Sequence, residues 1–238
     1  MKKILFLLLA VVSLSGCSLF NKQTHVVIVP GYGVPVKGNP TYEAYIQKVA
    51  DYVKDEKNKV KVVVFTGGYS VLADTSEAAA MKEYFSTLVN EETLKNQNST
   101  VYTEECSIIS WQNISNTKRL LERQGIKTTQ ITIFGDEQRK DKLLAYVVYQ
   151  FKNPKDLPKA ATELVNTIKN KGLGVDFVGH NFGTKPVTET ASSVEELVKV
   201  YTSDSGKQEL KTRAEQWSSQ FKYDVKDNLK KKGCALDL

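Results

Sequence analysis

The chain has 238 residues and a formal net charge of +6, from 33 basic and 27 acidic side chains. This length and a hydrophobic fraction of 41% suit one globular domain, with two small domains as the alternative. Two histidines, His25 and His180, and the lack of a Cys-x-x-Cys pair leave no spacing that resembles a metal site. We therefore expect no metal. No nucleic acid partner is expected either, and the sequence does not identify a cofactor.

The first residues have the pattern of a secretion signal. Two lysines precede a short apolar stretch at 4–12, and Leu14-Ser15-Gly16-Cys17 follows it. The apolar stretch is far shorter than the roughly 20 residues that a membrane-spanning helix needs. Leu-Ser-Gly-Cys resembles the lipobox of bacterial lipoproteins, in which the cysteine sulfur receives a diacylglyceryl group before cleavage. We predict a signal peptide over residues 1–16, with acylated Cys17 as the mature N-terminus.

Ser18 follows the predicted acylation site. In a cell with two membranes, a serine directly after the acylated cysteine resembles the sequence of lipoproteins that are sent to the outer membrane and face the periplasm. In a cell with one membrane, the anchor places the protein on the outer face of that membrane. Folded sequence is predicted to begin at His25, so the tether at 17–24 reaches at most about 26 Å. The bilayer is thus the first predicted partner, through the lipid on Cys17.

Short β-branched runs alternate with longer amphipathic stretches over residues 25–191. Strands are predicted at 26–29, 60–65, 100–103, 131–134 and 175–178. Three of these runs are continuously apolar, as in a parallel sheet covered on both faces. Apolar residues at helical spacing predict helices near 42–53, 78–88 and 111–121. The alternation favours a three-layer αβα sandwich, Rossmann-like, with a mostly parallel sheet of about five strands.

Residues 192–238 are rich in charged side chains and are predicted to form a mostly helical C-terminal extension. Three lysines at 230–232 favour either a solvated face or an anionic lipid or glycan. Outside the signal, Cys106 and Cys234 are the remaining cysteines. An exported protein can join two such cysteines. Free thiols are the alternative, because separation in sequence says nothing about contact.

Glycine pairs follow the first two predicted strands. Gly31 and Gly33 lie in Pro-Gly-Tyr-Gly after the first strand, and Gly67 and Gly68 follow the second. Ligands of open α/β sheets bind beyond the carboxyl ends of the strands. Glycine at such positions lets backbone N–H groups approach a phosphate closely. The alternative is that these glycines only form tight turns.

Two further segments extend this pattern. Ser76-Glu77-Ala78 opens a predicted helix, and residues 104–113 follow the pattern Glu-x-x-Ser-x-x-Ser-x-x-Asn. Together with the glycines, these segments resemble the domain-of-unknown-function family 218, the ElyC/SanA/YdcF-like envelope proteins. The resemblance covers about half of the chain, roughly residues 26–142. It implies an envelope protein linked to cell-wall or surface-polymer metabolism, with a polar cleft at the strand ends.

The resemblance also implies roles for individual residues. Glu104 is the candidate acid/base group. Arg139 and Lys142 stand where the family has a histidine and an arginine, and their charges suit a phosphate; the family's arginine in the first helix has no counterpart. The remaining candidate ligand-binding residues carry hydrogen-bonding groups or open backbone; they are Gly31, Gly33, Gly67, Gly68, Glu77, Ser107, Ser110 and Asn113. The predicted ligand is a phosphorylated glycan, a lipid-linked molecule or a nucleotide-like molecule.

Structural alternatives exist for each part of this constellation. Glu77 suits a capping box with the residues before it, and Ser110 suits an N-cap with Asn113 beside it. Arg139 and Lys142 suit a solvated helix face. Three functions therefore remain open: a hydrolase or transferase that acts on an envelope precursor, a non-catalytic scaffold or sensor, and a pure interaction protein that uses the segment from Ser192 onward. Loss of the family's histidine favours the second, whereas retention of Glu104 favours the first.

Residues 177–183, Phe-Val-Gly-His-Asn-Phe-Gly, resemble the nucleophile elbow of α/β-hydrolases. Asn181 occupies the nucleophile position, and a carboxamide has no proton whose removal yields a nucleophile. No histidine lies downstream to serve as the base. We predict a strand-to-loop turn in which His180 is structural, with a position facing the cleft as the alternative.

Overall fold

The computed structural model describes residues 24–33, 37–69, 75–152 and 172–183, together with short pieces between residues 203 and 234. The predicted signal peptide, Cys17 and the tether up to residue 23 lie outside the described residues. Most of the predicted C-terminal extension lies outside them too. The statements below concern the described part of the chain.

Five strands form one sheet in which every neighbouring pair is parallel. The strands are β1 (Thr24–Pro30), β2 (Val60–Thr66), β3 (Thr100–Glu104), β4 (Thr128–Asp136) and β5 (Gly174–His180). Their order across the sheet is β3-β2-β1-β4-β5. The predicted α/β fold and all five predicted strand positions are confirmed.

Five helices are described, and all three predicted ones are among them. They are α1 (Pro40–Lys54), α2 (Glu77–Leu88), α3 (Glu91–Gln97), α4 (Ser110–Arg123) and α5 (Lys140–Lys152), with 3₁₀ turns at Glu56–Asn58 and Glu137–Arg139. Ser76 caps α2, and its hydroxyl accepts from the third helical residue, Ala79. The capping-box alternative for Glu77 is wrong, because Glu77 is the first helical residue. The N-cap alternative for Ser110 is also wrong, because the cap of α4 is Ile109.

Helices cover both faces of the sheet. Successive strand residues point to opposite faces, and β1 is buried on both sides. Val27 and Val29 pack with the apolar residues of α1 and α2. Val26 and Ile28 pack with those of α4 and α5. The two separate cores explain why the strands are continuously apolar and give the predicted three-layer arrangement.

A disulfide joins Cys106 to Cys234, whose Cα atoms are 5.4 Å apart across 128 residues of sequence. Cys106 lies in the loop after β3. Leu229 and Cys234 pack against Tyr69, in the loop after β2. Of the two alternatives for these cysteines, a disulfide and free thiols, the structure has the disulfide. It attaches the described end of the C-terminal extension to the carboxyl edge of the sheet.

The strand order places a topological switch point between β1 and β4. From β1 the chain continues outward through β2 to β3, and then returns across the sheet to β4 and β5. In open α/β sheets, ligands bind in the crevice beyond the carboxyl ends of the strands at such a point. Here that position lies between the loop at 31–33 and the turn Glu137–Arg139.

Candidate functional site

Backbone hydrogen bonds connect the loops that follow β1, β2 and β3 to one another. The N–H groups of three motif glycines each donate to a carbonyl oxygen of the neighbouring segment: Gly31 to Thr66 (2.7 Å), Gly67 to Glu104 (2.9 Å) and Gly68 to Ser107 (2.5 Å). Parallel strands end at the same edge of the sheet, so segments distant in sequence meet there. The structure therefore brings the predicted motif segments together.

The start of α2 uses its backbone donors inside the protein. Its first three N–H groups donate as follows: Glu77 to the carbonyl of Gly68 (2.9 Å), Ala78 to the carbonyl of Gly67 (3.0 Å) and Ala79 to the hydroxyl of Ser76 (3.0 Å). An anion at a helix N-terminus needs these same donors. The prediction that Gly67, Gly68 and this helix start offer free backbone donors is therefore wrong, because protein oxygens already accept from them.

Close packing explains glycine at two of these positions. A Cβ atom at Gly68 would lie 2.7 Å from the carbonyl oxygen of Ser107, which is backbone and cannot move aside easily. A Cβ atom at Gly31 would lie 1.8 Å from Oε2 of Glu77. Gly68 thus permits close contact between two loops. Gly31 makes room for a carboxyl group.

Glu104 is 6% exposed and lies at the end of β3. Its Oε2 accepts from the hydroxyls of Thr66 (2.6 Å) and Ser107 (2.5 Å), and its Oε1 accepts from the N–H of Cys106 (2.8 Å). Burial raises the pKa of Glu104, and hydrogen bonds from Ser107 and Thr66 oppose that increase. Both carboxyl oxygens are engaged, so this side chain holds the loop after β3 against β2. Its acid/base role stays a prediction.

Two asparagines of α4 extend this network. Asn113 is buried, and the hydroxyl of Thr66 lies 3.2 Å from its backbone oxygen and 3.4 Å from its Oδ1. The side-chain amide of Asn116 donates to the hydroxyl of Ser107 at 3.0 Å. Asn116 was not predicted from the sequence, although it stands three residues after Asn113, on the same helix face. Ser110, the first residue of α4, is half-buried.

Glu77 is a second buried carboxyl at this edge, with an exposure of 4%. Its side chain lies against Gly31 and Gly67, and the N–H of Gly33 donates to it. Burial raises the pKa of Glu77 to about 7, and the hydrogen bond from Gly33 opposes that increase. A group with this pKa exists in both protonation states at neutral pH. Glu77 is thus suited to give or take a proton under physiological conditions.

The raised pKa of Glu77 predicts a pH-dependent stability. The pKa of Glu77 is about 4.5 in the unfolded chain and about 7 in the folded protein, so the folded protein binds this proton more tightly. The resulting stabilisation is full below pH 4.5 and is lost as pH rises through 7, by about 3 kcal/mol in total. In urea unfolding of the purified protein, the wild type should lose this amount relative to Glu77→Gln between pH 4.5 and pH 8. The control is Glu83→Gln, on the exposed face of α2, whose stability should change with pH as that of the wild type does. If the free energies of unfolding of the wild type and Glu77→Gln changed in parallel with pH, the raised pKa of Glu77 would be wrong.

Aromatic side chains occupy the switch point. The hydroxyl of Tyr32 accepts a hydrogen bond from the N–H of Asp136 at 2.7 Å, which joins the ends of β1 and β4. The Tyr32 ring lies 4.6 Å from that of Phe182, in the loop after β5. Burial raises the pKa of Tyr32 well above its usual range, so its hydroxyl stays protonated. Loops from three strands thus converge on the Tyr32 ring.

Arg139 lies directly over this ring. Its guanidinium carbon is 5.4 Å from the centre of the Tyr32 ring, within the range of a cation–π contact. Its Nε is buried without a hydrogen-bond partner, and the ion pairs among the described residues do not include Arg139. Lys142 follows on α5, with its Nζ 5.8 Å from the ring of Tyr146. These two predicted cations are therefore on the β4 side of the switch point.

The loop after β5 has a structural role. Nε2 of His180 lies 2.8 Å from the carbonyl oxygen of Thr41, and Lys48 donates to the carbonyl of Gly179 at 2.6 Å. Burial lowers the pKa of His180, which favours its neutral form. The side chain of Asn181 accepts from the N–H of Gly183, as in an Asx turn. The predicted strand-to-loop turn is confirmed, and these contacts support the structural alternative for His180.

Comparison with known protein families identifies one feature of the chain. Residues 1–18 match the description of a prokaryotic membrane lipoprotein lipid attachment site. The chain is a membrane-anchored lipoprotein. No curated protein and no solved structure matches it. None of the helices in the described part of the lipoprotein has the length and apolar character needed to cross a bilayer.

The candidate residues of the lipoprotein thus form three neighbouring groups at one edge of the sheet. The network around Glu104 lies on the β2–β3 side. Glu77 lies at the glycines in the centre, and Arg139 lies over Tyr32 on the β4 side. Within the described ranges, no three His, Cys, Asp or Glu side chains are arranged to hold a metal ion.

Proposed function

We propose that the lipoprotein binds a phosphorylated or nucleotide-like molecule of the cell envelope at the switch point between β1 and β4. The observation that carries this proposal is the guanidinium of Arg139. It is half-buried, lies over Tyr32 and pairs with no described carboxylate. An arginine at a topological switch point that has no ion-pair partner among the described residues is suited to a ligand phosphate or carboxylate.

The surroundings of Arg139 support an anionic ligand with a flat part. The Tyr32 ring supports one face of the guanidinium, which leaves its planar edge available for two oxygens of a phosphate. Lys142 adds a second positive charge in the first turn of α5. Phe182 and Tyr32 are partly exposed rings beside this charge, and aromatic faces stack well on a base. Charge and rings together favour a nucleotide-like molecule or a phosphorylated glycan.

We also propose that residues 25–191 form a domain of the family 218 type, with residues 192–238 as its extension. The four motif segments are scattered between residues 31 and 113, yet hydrogen bonds join them at one edge of the sheet. This convergence supports a common site rather than chance resemblance. A role in cell-wall or surface-polymer metabolism, and an outer-membrane location facing the periplasm in cells with two membranes, are parts of the same proposal.

An acid–base step on the bound molecule is a second candidate function, which would make the lipoprotein a hydrolase or transferase. Glu77 favours it, because its pKa of about 7 suits proton transfer at neutral pH. The three donors to Glu104 favour the non-catalytic scaffold or sensor, since a saturated carboxylate is poorly placed to accept a substrate proton. We therefore assign the acid/base role, if the site is catalytic, to Glu77.

The proposal is tested by native mass spectrometry of the full-length protein after incubation with cell-envelope extract. We expect the wild type to retain a small phosphorylated species and Arg139→Gln to lose it. The substitution should cost under about 1 kcal/mol in stability, because it removes one cation–π contact. Arg123→Gln, at the exposed end of α4, is the matched control and should retain the species. If the wild type retained no phosphorylated species, or if Arg139→Gln retained it equally well, the result would favour the non-catalytic scaffold over a ligand site at Arg139.

A further inference from the structure

The position of the lipid anchor constrains how the lipoprotein sits on the membrane. The strands are all parallel, so all five begin at one edge of the sheet, here called the amino edge. β1 begins at Thr24, and the predicted acylation residue is Cys17. Residues 18–23 therefore separate the lipidated cysteine from the amino edge, which makes seven Cα–Cα steps. Fully extended, they reach at most about 25 Å.

The height of the sheet is comparable to this reach. β1 has 7 residues, which at the usual rise per residue corresponds to about 20 Å from the amino edge to the carboxyl edge. The loops that follow the strands project further. If the carboxyl edge faced the bilayer, Thr24 would stand more than about 20 Å above the headgroups, and the connection would have to be almost fully stretched. An orientation with the amino edge toward the bilayer needs no such extension.

The amino edge also presents lysines, next to the exposed acidic residues Asp55 and Glu56. Lys57 and Lys59, between α1 and β2, are exposed, and neither makes an ion pair with a described residue. Lys59 and Lys61 line a surface depression of about 220 Å³ together with Gln97 and one carboxylate, that of Glu56. Lys61 donates to the backbone oxygen of Gln97, whose side-chain Oε1 is buried without a hydrogen-bond partner. The depression thus holds two lysines and one carboxylate, so the lysines outnumber the acidic group there.

We propose that the amino edge of the sheet is the membrane-facing surface, where Lys57 and Lys59 contact the headgroup phosphates of anionic phospholipids. The carboxyl edge, with Arg139, then opens away from the bilayer. The lipid anchor supplies the attachment, and the lysines supply the orientation, because each basic residue near an anionic surface adds a further favourable interaction. This proposal does not depend on the ligand site, since it concerns the opposite edge.

Energy transfer in lipid vesicles tests the orientation. Lys57→Cys and Gln138→Cys place a single new thiol at the amino and carboxyl edges, since Cys106 and Cys234 are bonded and Cys17 is the acylation residue. The full-length acylated protein is labelled with a donor dye and inserted into phosphatidylglycerol vesicles that contain an acceptor-labelled lipid. We expect clearly stronger transfer from position 57 than from position 138. Equal transfer, or stronger transfer from position 138, would overturn the proposal.

Lipid composition and charge test the lysine contact. With the dye at position 138, transfer should be weaker in phosphatidylglycerol vesicles than in phosphatidylcholine vesicles, because the lysines hold the domain upright on the anionic surface. Lys57→Gln combined with Lys59→Gln should abolish this difference. Lys82→Gln, on the exposed face of α2, is the matched control and should preserve it. An unchanged difference in the double variant, or no difference in the wild type, would refute the contact between these lysines and the headgroups.

Discussion

Replacing both Cys106 and Cys234 by alanine is expected to lower the free energy of unfolding by about 5 kcal/mol. The bond spans 128 residues, and its removal frees the unfolded chain from a very large closed ring. It also removes the link between Tyr69, Leu229 and the loop after β3. For a protein of this size the loss corresponds to a fall in melting temperature of about 10 to 20 °C.

Calorimetry with and without reductant provides the measurement and its control. Reductant should lower the melting temperature of the wild type to that of the double variant, and should leave the variant unchanged. The bond also predicts that neither cysteine reacts with a thiol label until reductant is added. Labelling of Cys106 or Cys234 in the untreated protein, or a double variant as stable as the wild type, would disprove this role.

Glu104→Ala is expected to lower the free energy of unfolding by about 3 kcal/mol. The substitution leaves three buried donors, from Thr66, Ser107 and Cys106, without their acceptor. Each unsatisfied buried donor costs about 1 to 3 kcal/mol, and relief of the buried carboxylate offsets part of the sum. Glu104→Gln keeps one acceptor oxygen, and the two hydroxyls can reorient toward the new amide. We expect that variant to lose about 1 kcal/mol.

Urea unfolding of the two variants distinguishes an anchoring role for Glu104 from an acid/base role. Glu83→Ala removes an exposed carboxylate from α2 and should remain within about 0.5 kcal/mol of the wild type. If Glu104→Ala proves as stable as this control, the carboxylate does not hold the loop after β3. Loss of ligand binding at unchanged stability would then restore Glu104 as the acid/base group.

The sheet could be predicted because its signal is local. Parallel strands buried on both faces are short continuous runs of valine and isoleucine, and such runs are visible without knowledge of the partner strand. Helix α5 gives no such signal, since residues 143–148 are all buried and show no helical period. Helix α3 lacks an apolar stripe for the opposite reason, because none of its seven residues is buried. Neither helix was therefore predicted.

The candidate site could be predicted only in part, because its contacts are not local. The rule that ligands bind at the carboxyl ends of parallel strands places the glycines and Glu104 at one edge. It does not say which donors reach a carboxylate, and Thr66 is 38 residues from Glu104. Sequence reasoning therefore assigned free donors to Gly67 and Gly68, where the structure has loop-to-loop hydrogen bonds. The different environments of Glu77 and Glu104 likewise emerge only from packing.

The Cys106–Cys234 bond has a consequence for how the protein is made. It can form only after residue 234 has crossed the cytoplasmic membrane, because reducing conditions inside the cell keep thiols unpaired. The precursor awaiting translocation therefore lacks this covalent constraint of the mature fold. A less stable precursor is easier to keep unfolded for the export machinery, and oxidation afterwards prevents the exported chain from reopening at this edge.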